Sequence, residues 1–116
     1  SQFGLPGTYA PTADYDLMRR GIEQAEKMGV RYHVGNIVSK DSFYTADPTV
    51  NDRWKSMGIL AVEMEAAALY MNAAKAKKKA LCVLTISDHL YSPEALNSYE
   101  RQVGFGQMME IALSLA

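Results

Sequence analysis

Two short and almost unbroken apolar runs, Ile59-Leu60-Ala61-Val62 and Ala80 to Ile86, constrain the fold of this chain more than any other feature. A strand with one face in water alternates apolar and polar residues, whereas a run apolar at successive positions needs cover on both faces. Helical segments are spaced to give that cover. Ala13 to Met28 carries Leu17, Met18, Ile22, Ala25 and Met28 close to one stripe at helical spacing, with Gly29 as its stop. Glu65 to Lys79 is alanine-rich and closes in Lys75, Lys77, Lys78 and Lys79, cations suited to the negative end of a helix dipole. Ser98 to Ala116 repeats helical spacing through Val103, Met108, Ile111, Ala112 and Leu115. Thr49 to Met57 predicts a short helix, capped by Asp47 or Thr49, with Pro48 in its first turn and Gly58 after it. Val30 to Val38, rich in β-branched and aromatic residues, predicts a strand despite Gly35, and runs into a strand end or loop over Ser39 to Thr45.

The order is helix, strand, helix, strand, helix, strand, helix, which predicts a single α/β domain with mainly parallel strands. At 116 residues the chain is long enough to bury roughly two-thirds of its unfolded surface. Twelve Lys and Arg against 13 Asp and Glu leave a net charge of -1, which lacks the basic footprint of a nucleic-acid or membrane binder. The single cysteine, Cys82, excludes an internal disulfide and points to a reducing, cytoplasmic setting. No apolar run approaches the ~20 residues that span a bilayer. His33 and His89 have no spaced ligand partners, so no metal is expected. Gly4, Gly7, Gly104 and Gly106 match no phosphate-binding loop, and there is no serine-hydrolase elbow.

In a parallel sheet the ligand site lies beyond the carboxyl ends of the strands. The second strand ends there in Val62-Glu63-Met64-Glu65, two carboxylates around a methionine at the start of a helix. Such acids can cap free N–H groups, or they can accept hydrogen bonds from sugar hydroxyls. The third strand ends in Thr85-Ile86-Ser87-Asp88-His89 at the same edge. Ser87 and Asp88 can cap a turn, or place an acid beside a ligand. Arg101 stands in the first turn of the last helix, where the dipole disfavours a cation. It is either a solvated arginine or a group that approaches Asp88 once ligand is bound. Phe43-Tyr44, at the end of the first strand, suit a core or a stacking surface for a flat ring.

With Val62-Glu63-Met64-Glu65-Ala66-Ala67, then Ser87-Asp88-His89, then Glu100-Arg101-Gln102, the chain closely resembles the carboxyl-terminal half of bacterial, high-molecular-weight purine nucleoside phosphorylases. Tyr9-Ala10-Pro11-Thr12-Ala13, Val34-Gly35-Asn36 and Phe43-Tyr44 extend the likeness over nearly all of the sequence. Glu-Met-Glu alone marks the wider superfamily; Ser-Asp-His with a downstream Glu-Arg-Gln marks the purine phosphorylase branch. The resemblance implies a three-layer phosphorylase-like fold with a mainly parallel or mixed central sheet, of which this chain is the carboxyl-terminal part. It implies phosphorolysis of purine (deoxy)ribonucleosides to free base and (deoxy)ribose-1-phosphate, with phosphate as co-substrate and no metal or organic cofactor. Residue by residue, it implies that Glu65 binds the ribose 2' and 3' hydroxyls and Met64 packs on the sugar. Glu63 and Val62 line the sugar and base region, and Phe43 and Tyr44 flank the purine. Asp88 is then the general acid at purine N7, assisted by a late-arriving Arg101, with Ser87 beside the base.

The family's phosphate ligands lie in its amino-terminal half, so the resemblance also implies that this half and a homo-oligomer, a hexamer built as a trimer of dimers, complete the site. Two other readings follow from the residues. One is a hydrolytic nucleosidase acting on methylthioadenosine or S-adenosylhomocysteine, against which Arg101 and His89 argue. The other is a noncatalytic module that self-associates through an exposed sheet edge.

Overall fold

The computed structural model describes residues 4–43, 46–91 and 97–116. In order these form α1 (Tyr15–Met28), β1 (Ile37–Ser39), α2 (Val50–Ser56), β2 (Ala61–Glu63), α3 (Ala66–Lys75) and α4 (Ser98–Ser114). The α/β reading holds, and so does the parallel direction: β1 and β2 pair with Ile37 opposite Ala61, Val38 opposite Val62 and Ser39 opposite Glu63. The Leu60 N–H to Asn36 carbonyl and Lys40 N–H to Glu63 carbonyl bonds, each 2.9 Å, continue the contact at either end. No helix among the described residues is long and apolar enough to cross a membrane.

Local chemistry sets the helix ends. Asp14 caps α1, its Oδ2 accepting the Leu17 N–H at 3.0 Å, and Gly29 closes it in the left-handed conformation that glycine adopts without Cβ strain. Of the two candidate caps for α2, Thr49 holds the N-cap position without a side-chain cap bond, and Asp47 holds Thr49, its Oδ1 accepting both the backbone N–H and the hydroxyl of that residue. Asn97 and Glu100 form a capping box on α4. Of the lysines predicted to end α3, Lys75 lies in its last turn, and Lys77, Lys78 and Lys79 lie beyond it, because Lys77 turns to φ 58° and the Lys78 N–H bonds back to the Ala73 carbonyl.

Two expectations are corrected. Val30 to Val38 is not a strand throughout, because β2 offers only three ladder partners. The run from Ala80 to Ile86 forms no ladder strand at all. Its apolar side chains are only partly covered, with Leu84 and Ile86 exposed, and a ladder needs a neighbouring strand's N–H and C=O groups, of which none is offered among the described residues. Its polar groups are satisfied otherwise. The Cys82 N–H donates to the Tyr70 hydroxyl at 2.8 Å, the Ala80 carbonyl accepts from the Asp14 N–H, and the Thr85 hydroxyl donates to the Gly104 carbonyl at 3.2 Å.

The core is also smaller than the length suggests. Among the described residues its buried apolar members are Ala25, Ala66 and Ile111. The accessible surface is 8833 Å², against about 6,300 Å² for a closed monomer of this mass. α1 and α4 pack together through small residues, and an open apolar groove lined by Leu17, Leu69, Leu81, Val83, Met108 and Leu115 runs beside that contact.

The two glycines inside α4 differ in kind. A Cβ on Gly104 would lie 2.8 Å from the Thr85 methyl, whereas one on Gly106 would meet nothing within 4 Å. Nothing in the structure explains Gly106. Gly106→Ala is therefore expected to stabilise by roughly 0.5–1 kcal/mol through helix propensity, while Gly104→Ala lowers the melting temperature by displacing Thr85. Parallel thermal melts of the two variants check this.

Candidate active site

Where β1 and β2 end, their register sets Ser39 directly beside Glu63, and the chain turns from Glu63 into α3. Glu63 is the one charged side chain buried among the described residues, with 9% of its surface exposed. Its carboxylate is fully engaged. Oε1 accepts the Ser39 hydroxyl, and Oε2 accepts the N–H groups of Glu65 and Ala66, each at 2.6 Å. The Ser39 Oγ accepts in turn from the Ala67 N–H at 2.9 Å. Burial pushes the Glu63 carboxyl up, but the bonds from Ser39 and from the backbone of Ala66, Glu65 and Met64 outweigh it and hold it below its ordinary value. The exposed N–H groups that open α3 are thus consumed by one buried acid and one serine. Met64 and Glu65, on the turn itself, stay exposed. The Glu65 side chain makes no cap bond and accepts no hydrogen bond among the described residues.

A second polar cluster follows the Ala80 to Ile86 run. Arg101 Nη2 lies 3.2 Å from Asp88 Oδ1, and the side chains are 44% and 60% exposed. The structure thus places the two predicted partners within salt-bridge reach of each other. The link also gives a cation in the first turn of α4 a carboxylate to offset the unfavourable dipole.

Helix α2 braces the loops around both clusters. Lys40, just past β1, donates from Nζ to Asn51 Oδ1 at 2.6 Å. Tyr91, just past Asp88, donates to Asp52 Oδ1 at 2.7 Å, and its ring carries the Lys55 ammonium 4.2 Å from its centroid. Burial, and then the charges of Glu63 and Glu65, push the Cys82 thiol up.

The sequence profile of the phosphorylase superfamily matches residues 3–112. The chain belongs to that superfamily. It is similar to proteins named purine nucleoside phosphorylase DeoD-type from Jannaschia sp. (strain CCS1), 53% identical over 108 residues, and from Roseobacter denitrificans, 48% identical over 108 residues. The relative of the same name from Geobacillus sp. (strain WCH70) is 47% identical. Each alignment covers 93% of this chain and 46% of the relative, so the chain spans about half the length of the curated relatives it matches.

Within this superfamily member, the predicted site residues fall into two groups. Val62, Glu63, Met64 and Glu65 share the β2–α3 turn, with Phe43 exposed on the loop after β1. Ser87, half-buried, and Asp88 lie with Arg101. No hydrogen bond or ion pair among the described residues joins the two groups directly. Tyr44 lies outside the described residues, as do residues 1–3 of the opening stretch and the Pro93 segment of the loop before α4. Sequence reasoning missed Ser39, Asp52 and Tyr91. Ser39 gave no signal as a lone serine at a strand end, and only the register places it. Among the described residues no group of three His, Cys, Asp or Glu is placed to hold a metal ion.

Because the folded Glu63 carboxyl is held below its ordinary value, its contribution to stability is present above the unfolded carboxylate range of about 4.3 and is lost as pH falls through the folded value. Thermal melts of wild type and Glu63→Gln from about pH 7 to about pH 3 are expected to show a wild-type advantage at neutral pH that shrinks in acid.

Proposed function

We propose that this chain forms the nucleoside-binding side of a phosphate-dependent purine nucleoside phosphorylase site. The observation that carries the reading is the arrangement of its polar groups: an exposed carboxylate, Glu65, on a pinned turn at the end of β2, and an acid with a guanidinium partner, Asp88 and Arg101, just past the Ala80 to Ile86 run. The name borne by relatives about half identical to this chain supports it.

Breaking an N-glycosidic bond builds positive charge on the sugar and negative charge on the departing purine. Glu65 accepts from the sugar hydroxyls and faces the growing positive charge, while Met64 packs on the sugar. Val62 lines the pocket, and Phe43 and Tyr44 flank the flat base. Asp88 donates its proton at purine N7, with Ser87 beside the base. The role calls for a proton-carrying acid, a form that desolvation by a bound purine ring favours. Arg101, already in reach, then stabilises the carboxylate left after transfer. Phosphate attacks as co-substrate, with no organic cofactor. Its ligands come from sequence matching the rest of the relatives' length and from neighbouring subunits of a homo-oligomer. A reducing, cytoplasmic setting suits the free thiol of Cys82.

Release of free base from inosine and adenosine, with and without inorganic phosphate, tests the reading. Release that requires phosphate is the expected result; equal release without it marks a hydrolytic nucleosidase and overturns the proposal. Asp88→Asn is expected to lower kcat by ~10²- to 10⁴-fold with little change in KM. Wild-type turnover in that variant would remove Asp88 from the acid role.

A further inference from the structure

We propose that Glu63 does not contact the sugar, and that Glu63 and Ser39 together are positioning residues that aim Glu65 at it. The inference rests on the nucleoside-site reading above and assigns the two acids of the Glu63-Met64-Glu65 turn different tasks. An ionised carboxylate offers about four lone-pair positions. Glu63 commits one oxygen to the Ser39 hydroxyl and the other to two backbone N–H groups, and it is 9% exposed. Little of it is left for a ligand. One of the N–H groups it binds belongs to Glu65 itself, so the buried acid fixes the backbone from which the exposed acid projects.

Ser39 completes the device. Its hydroxyl donates to Glu63 and its oxygen accepts from the Ala67 N–H, so a residue of β1 is tied at once to the end of β2 and to the first turn of α3. Removing that hydroxyl leaves Glu63 with a buried, unpaired oxygen and frees the Ala67 N–H. The α3 turn then loosens without any change in a group exposed to ligand. A pinned acceptor binds a diol better than a mobile one because its ordering cost is already met in the folded chain.

Equilibrium binding of a purine ribonucleoside and of the matching free purine base, measured by calorimetry on wild type, Ser39→Ala, Ser39→Thr and Glu63→Gln, tests this. The base lacks the sugar and so reports on folding of the site as a whole. Ser39→Ala and Glu63→Gln are each expected to weaken nucleoside binding roughly tenfold and to leave base binding unchanged, while Ser39→Thr keeps the hydroxyl and restores the wild-type ratio. If Glu63→Gln fails to fold, the two Ser39 variants carry the test alone. Weakening in Glu63→Gln but not in Ser39→Ala would make Glu63 a direct ligand and overturn the inference, as would parallel losses for nucleoside and base. Wild type that binds neither compound would overturn the nucleoside-site reading itself, and this inference with it.

Discussion

The buried carboxylate of Glu63 is the contact on which the junction of β1, β2 and α3 depends. A charge out of water is tolerated only when hydrogen bonds replace its hydration, and here Ser39 and the opening N–H groups of α3 do so. The same bonds satisfy backbone groups that every helix start leaves open. Two polar liabilities cancel, and in cancelling they hold β1, β2 and α3 in one geometry. Ala66, among the least exposed residues, sits beside this junction, so apolar burial and the polar clamp reinforce each other.

Away from that junction the chain is open. An open apolar groove lies beside the α1–α4 contact, and the run from Ala80 to Ile86 forms no ladder. Size and apolarity alone would direct attention to the groove. Chemistry directs it to the strand ends, where groups that can accept or donate protons stand on short, braced loops. Helix α2 is central to that bracing, since its Asn51, Asp52 and Lys55 reach both the segment after β1 and the segment after Asp88.

Much of this was legible in the sequence because local rules decided it. Gly29 ends α1, Thr49 stands at the start of α2, and the parallel pairing of β1 with β2 follows from apolar runs flanking helices. That acids at the β2–α3 turn cap a helix was legible as well, but not which acid: only the register of Ser39 against Glu63 shows that the first is buried and the second exposed. The Ala80 to Ile86 run misled because apolarity predicts burial, not ladder partners. Asp88 and Arg101 stood out as a pair, yet their contact depends on where α4 begins, which the Asn97–Glu100 capping box sets. The role of Gly104 was invisible until Thr85 was found against it.

The central claim is that ligand chemistry resides at the strand ends and not in the groove. Backbone amide shifts on titration with a purine ribonucleoside test it most directly. The account predicts saturable shifts at Phe43, Met64, Glu65, Ser87 and Asp88, with Leu17, Leu81 and Met108 unmoved. Shifts confined to those groove residues, with the strand ends silent, would contradict it.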